Sequence, residues 1–78
     1  MATTRDDEFL KALGRRARAL RKAKGMTQEG VVNASVLDLR QVGRIERGES
    51  NSTICVLKTY ADALGISLKE LFDFQSEE

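Results

Sequence analysis

The chain has 78 residues, of which 41% are hydrophobic, 32% charged and 5% aromatic, with no Pro, Trp or His and a net charge of +1. That is enough for one domain, expected to span 1–78 with loose ends at 1–4 and 75–78, and it matches a soluble helical protein better than a disordered or membrane one. The single Cys55 excludes an internal disulfide framework and fits a reducing compartment, so a cytoplasmic, nucleoid-associated location is expected. A lone Cys without His also makes a metal site improbable, and no apolar run suggests a signal peptide or membrane span.

Charge is unevenly spread. Arg15, Arg16, Arg18, Arg21, Lys22 and Lys24 fall within ten residues that hold no acid, whereas the stretch from Asp62 to the end holds five acids and one Lys. A chain polarised in this way offers a basic face to phosphates, although a solvated helix face produces the same pattern.

The 3.6-residue periodicity predicts five helices and an all-α fold. The first is expected from Arg5 to Lys24, capped by Thr4, with Asp6, Asp7 and Glu8 at its positive dipole end and Gly25 as its stop. Its apolar stripe is Leu10, Leu13, Ala17 and Leu20. The second is expected over Gln28–Ala34 behind Thr27. The third follows Asp38, with Gln41 completing a capping box, and runs over Leu39–Arg47 to Gly48. After the polar loop 49–52, a fourth starts near Thr53, buries Ile54, Leu57, Ala61 and Leu64, and stops at Gly65. Ser67 and Glu70 box a short fifth helix over Leu68–Asp73.

The informative stretch is 27–47: two short helices joined by a tight turn. They bury little surface alone, but supported by their neighbours they display a second helix that the DNA major groove admits. The segments LGRRARALRKAKGMTQE (13–29), GRIERGESNSTI (43–54) and ADALGISLKELF (61–72) carry a resemblance. Their order and spacing resemble the xenobiotic-response-element, lambda-repressor-like family over residues 13–74. The resemblance implies a compact five-helix DNA-binding domain with a central helix-turn-helix, and a transcriptional regulator of bacterial or phage type. It makes Leu39, Arg40, Gln41 and Arg44 the base-reading positions. Gln28, Arg47, Asn51, Ser52 and Thr53 become phosphate contacts, and Arg21 and Glu46 a structural pair tying the first helix to the third. Arg suits guanine O6/N7 and Gln suits adenine N6/N7, each worth about 1–3 kcal/mol of discrimination. Plainer readings stand beside these: Arg40 and Arg44 as solvated surface, Gln28 as a helix-start residue, Ser52 and Thr53 as helix caps.

Three departures from the family pattern involve four residues. Val36 occupies the turn position usually given to Gly, so the turn either adopts another conformation or stores strain. Val32 replaces a small residue at the helix crossing. Gly30 and Gly43 lie inside helices, each costing about 1 kcal/mol relative to Ala.

Reading a useful length of DNA requires two copies, so a homodimer on a palindromic operator is expected. Tyr60, Leu68, Phe72 and Phe74 are the candidate interface, with Cys55 a possible neighbour; Tyr60, Leu68 and Phe72 alternatively complete the core. Double-stranded DNA is the expected partner, with no cofactor, no small-molecule ligand and no membrane. A repressor or activator is the leading reading. The competing class is an antitoxin-like or adaptor protein that uses its C-terminal end against another protein. Nothing in the sequence provides a nucleophile–base arrangement, so no enzymatic activity is expected.

Overall fold

The computed structural model describes residues 5–75, which form five helices and no strands. In chain order these are α1 (Asp7–Ala23), α2 (Gln28–Asn33), α3 (Leu39–Glu46), α4 (Ile54–Leu64) and α5 (Leu68–Leu71). None of them is long and apolar enough to cross a membrane.

Local chemistry sets the boundaries. Thr27 Oγ1 accepts the Gly30 N–H at 3.0 Å, and Thr53 Oγ1 accepts that of Val56 at 3.2 Å. Asp38 accepts the Gln41 N–H at 2.7 Å, while Gln41 Oε1 accepts the Asp38 N–H at 3.0 Å, a reciprocal box. At α5 only half of the expected box forms: Ser67 Oγ accepts the Glu70 N–H at 3.0 Å. Gly25 and Gly65 end α1 and α4 as expected.

The start of α1 differs from expectation. Asp6 is the N-cap, accepting the Phe9 N–H at 3.0 Å, so the helix begins one turn's fraction later than the sequence suggested. A carboxylate at the positive end of a long helix satisfies an orphan donor and complements the dipole together. Thr4, with segments 1–4 and 76–78, lies outside the described residues. The other end of the chain also shortens: α5 stops at Leu71, and the Glu70 carbonyl accepts from Arg16 Nε and Nη2 of α1 at 3.2 and 3.1 Å.

The core comprises Leu13 and Ala17 of α1, Val31 of α2, Val42 and Ile45 of α3, Leu57, Tyr60, Ala61 and Leu64 of α4, and Leu71 of α5. Leu37 and Ile66 enter it from the connections. Ile54, expected inside, is 63% exposed. Its phase is right, but at the first turn of α4 it lines an open cleft with Phe9, Leu10 and Phe72.

Two glycines let α1 lie directly on α3 and the loop behind it. A Cβ on Gly14 would stand 2.6 and 2.7 Å from the carbonyl oxygens of Glu46 and Ile45. At Gly48 the φ of +73° is left-handed, and a Cβ would lie 2.6 Å from Lys11 Cα. Both positions exclude a side chain for reasons that neither helix reveals alone.

The turn between α2 and α3 resolves the question raised by Val36. Among the described residues no non-glycine has positive φ, so Val36 is unstrained; it is 91% exposed. Ser35 organises the turn instead, donating its hydroxyl to the Val31 carbonyl at 2.7 Å and accepting the Leu37 N–H at 3.1 Å. The inward residue of α2 is Val31, while Val32 is half-buried at the edge of the core.

Candidate nucleic-acid interface

Helix α3 has an inner and an outer face, and the sequence assigns them opposite chemistry. Val42, Gly43, Ile45 and Glu46 are buried; Leu39, Arg40, Gln41 and Arg44 are exposed. Only Glu46 among the buried four is charged, and it fixes the helix to the rest of the molecule.

The Glu46 carboxylate accepts four hydrogen bonds. Oε2 takes Arg21 Nε at 2.7 Å and the Tyr60 hydroxyl at 2.6 Å. Oε1 takes Arg21 Nη2 at 3.0 Å and Gln28 Nε2 at 3.1 Å. Arg21 Nη1 donates to the Met26 carbonyl at 2.8 Å. The forked geometry is the one in which a guanidinium meets a carboxylate most favourably. Side-chain exposure is 9% for Arg21 and 2% for Glu46, and no buried side-chain polar atom among the described residues lacks a partner. A buried pair is tolerable only when its remaining donors and acceptors are filled in this way. One group thus joins α1 (Arg21), α2 (Gln28), α3 (Glu46) and α4 (Tyr60).

Electrostatics follow from the same contacts. Burial pushes the Glu46 carboxyl up, but hydrogen bonds from Arg21, Tyr60 and Gln28 together hold it below the ordinary carboxylate range. Arg21 is raised, chiefly by its hydrogen bond to Glu46. The Tyr60 phenol is driven far above its usual range, first by burial and then by the adjoining carboxylate. The contacts therefore favour the ionised pair and keep the proton on the Tyr60 hydroxyl, which donates to Glu46.

Tyr60 corrects one expectation. It has 0% exposure, with its hydroxyl 3.1 Å from the Ala17 carbonyl as well as bonded to Glu46, so it cannot line a surface for a second copy. Leu68, Phe72 and Phe74 are half-buried and pack on the core. The ring centroid of Phe74, expected at the interface with a second copy, lies 5.5 Å from that of Phe9 of its own chain, and Phe72 stacks on Phe9 at 6.4 Å. Phe9 was not singled out in the sequence, nor was the hydroxyl of Tyr60. The signal for Tyr60 was its position beside Ala61, in phase with Leu57 and Leu64. For Phe9 no local signal exists.

On the outer face, Leu39 is 49% exposed. Arg40 and Arg44, one helical turn apart, enter none of the ion pairs found among the described residues. Gln41 is also exposed, but its carboxamide oxygen is engaged in the α3 cap, so a two-pronged adenine contact would first require its release. Beside these, Arg18, Thr27, Gln28, Glu29, Leu39 and Arg47 line an open cleft together with the Arg21–Glu46 pair. Gln28 carries two amide hydrogens, of which Glu46 takes one. Arg47 Nε bonds to Glu49 Oε2 at 3.0 Å, and Ser50 and Ser52 share a hydroxyl contact of 2.7 Å. Asn51 is exposed, and Thr53 serves as the α4 cap. The residues expected to meet phosphate are thus split: Gln28 and Arg47 share the cleft beside α3, whereas Asn51, Ser52 and Thr53 follow in the α3–α4 connection.

Two short capped helices, the second fixed by its inner face and presenting basic side chains outward, define a helix-turn-helix protein. The chain belongs to the helix-turn-helix family HTH_3, which matches residues 18–71. The family is one of helix-turn-helix transcriptional regulators, which are DNA-binding rather than enzymatic. The uncharacterized HTH-type transcriptional regulator YazB of Bacillus subtilis is 45% identical over 58 residues, covering 74% of this chain and 84% of its own. Among solved structures, the restriction-modification controller protein C.AhdI from Aeromonas hydrophila superposes with a TM-score of 0.77 at 43% identity, covering 81% of this chain and 96% of that one. The controller protein C.Esp1396I, solved as a tetramer in complex with its natural 35 base-pair operator, gives 0.72 at 30% identity, covering 83% and 96%.

Proposed function

We propose that the protein is a sequence-specific transcriptional repressor or activator that binds a palindromic operator as a homodimer, inserting the start of α3 into the major groove. The observation that carries this reading is the contrast between the two faces of α3. Its inner face is locked through Glu46, while Leu39, Arg40 and Arg44 stand in solvent on a rod of groove dimensions. Arg40 and Arg44 read base edges, with Leu39 available to a thymine methyl and Gln41 to an adenine once it leaves the cap. Gln28 and Arg47 hold the backbone from the adjoining cleft, with Asn51, Ser52 and the Thr53 backbone following the strand.

A second copy docks at the end of the molecule where apolar surface remains. Ile54 and Phe9 are 63% and 36% exposed beside the cleft they share with Phe72, and the Phe74 ring packs against Phe9. The operator-bound tetramer of C.Esp1396I supports binding by more than one copy. A two-fold pair reads two half-sites about one DNA turn apart.

In vitro selection from random duplexes tests the whole reading, because a recovered palindrome reports specificity and symmetry together. On the selected site, Arg44→Ala relaxes base preference at defined positions, whereas Gln28→Ala weakens all sequences alike. Equal losses on every sequence for both variants would overturn the division of roles. Light scattering after size exclusion that finds only monomer at tens of micromolar would overturn the dimer.

A further inference from the structure

The end of α3 carries an ion pair that the DNA-binding reading does not use. We propose that Glu49 is an intramolecular substitute for a DNA phosphate, which holds Arg47 in the free protein and must be displaced before Arg47 reaches the duplex. The inference rests on the reading of Arg47 as a phosphate contact.

Three features place the two side chains together. Gly48, at φ +73°, turns the chain sharply between them, so that residues two apart face one another. The Glu49 N–H donates to the Arg44 carbonyl at 2.9 Å, which anchors Glu49 against the last turn of α3. Gly43, one helical turn before Arg47, leaves the space that the guanidinium fills: a Cβ there would lie 2.8 Å from Arg47 Nη1. Arg47 therefore lies back along its own helix, over a glycine notch, with Nε bonded to Glu49 Oε2 at 3.0 Å. Arg47 holds the Glu49 carboxyl below its ordinary range, and the charge of Arg44 adds to the effect.

Both partners are more than half exposed, 57% and 54%, so the contact is weak enough for a phosphate to replace. Replacement exchanges one carboxylate for one phosphate at the same guanidinium. Salt screens the Arg47–Glu49 pair along with the phosphate contact, so the competitor weakens together with the contact it opposes. Glu49 thereby lowers both the affinity and the salt sensitivity of binding, and does so through Arg47.

The test uses the full chain and a random-sequence duplex, on which only backbone contacts operate. Glu49→Gln is expected to tighten binding about two- to fivefold at low salt, the scale an exposed ion pair supports. It also steepens the slope of log K against log salt by up to about 0.9, the value of one phosphate contact. In an Arg47→Ala background the same substitution changes neither quantity. A Glu49→Gln effect of equal size in that background means that Glu49 acts by general repulsion and overturns the proposal, as does no effect in the wild-type background. Arg47→Ala is measured alone as well; if it leaves affinity and slope unchanged, the phosphate role of Arg47 fails, an outcome separable from any failure of Glu49.

Discussion

Replacing Gly14 with Ala sets two ordinary effects against each other, and the structure decides between them. In the interior of a 17-residue helix, Gly→Ala adds about 1 kcal/mol of helix propensity. Here the new methyl would stand 2.6 Å from the Glu46 carbonyl oxygen, whereas ordinary contact begins at 3.4 Å, so α1 and α3 must part by about 0.8 Å (3.4 − 2.6). The obstacle is backbone on both sides, which cannot rotate away. Overpacking of this kind costs about 1–3 kcal/mol, and the separation also stretches the Arg21–Glu46 contact. The expected net is a loss of up to about 2 kcal/mol, which for a domain of this size lowers the melting temperature by up to roughly 15 °C. Gly30→Ala is the matched control, since its Cβ makes only ordinary contacts, with the Thr27 hydroxyl at 3.4 Å and Met26 Cε and Cβ at 3.8 and 3.9 Å, and its melting temperature is expected to hold or rise. Thermal denaturation by circular dichroism reads both. A Gly14→Ala protein as stable as Gly30→Ala would refute the close-approach argument.

Other outcomes follow from the same geometry. Glu46→Ala strands the Arg21 guanidinium and is expected to cost about 3–5 kcal/mol in urea titrations, while the apolar pair Arg21→Met with Glu46→Leu recovers most of that loss. Because the folded Glu46 carboxyl titrates below its ordinary value of 4.5, its contribution is fully present above that pH and is lost as pH falls through the folded value. The urea midpoint is therefore expected to drop in this acid range, and Glu46→Gln should flatten the drop. Val36→Gly is expected to destabilise slightly, by up to about 1 kcal/mol, since a residue at negative φ gains nothing from glycine's freedom; a gain in melting temperature would show strain at this turn.

What the sequence made legible were the features decided within a few residues. Thr27, Asp38, Thr53 and Ser67 cap the helices they precede, because a side-chain oxygen next to an apolar periodic run has one nearby use. The family resemblance supplied the pairing of residues 21 and 46, a separation that periodicity cannot bridge. The errors lie where distant elements meet. Ile54 has inward phase yet projects past the edge of the core. Tyr60 looks like interface material until its hydroxyl finds a carboxylate 14 residues earlier. Gly14 carries no signal of its own until α3 crosses it, and Phe74, expected against a second copy, packs on Phe9 of its own chain.

The carboxylate at position 46 also bears on how α3 moves. An eight-residue helix has little persistence of its own, and this one borrows rigidity from three others through a single acceptor group. Loosening it is therefore expected to open its neighbours as well. Amide protons in its second turn should exchange only by global unfolding, as slowly as those at the centre of α1. On the proposed function, α3 then meets DNA already rigid, and the ordering entropy is settled at folding rather than at binding.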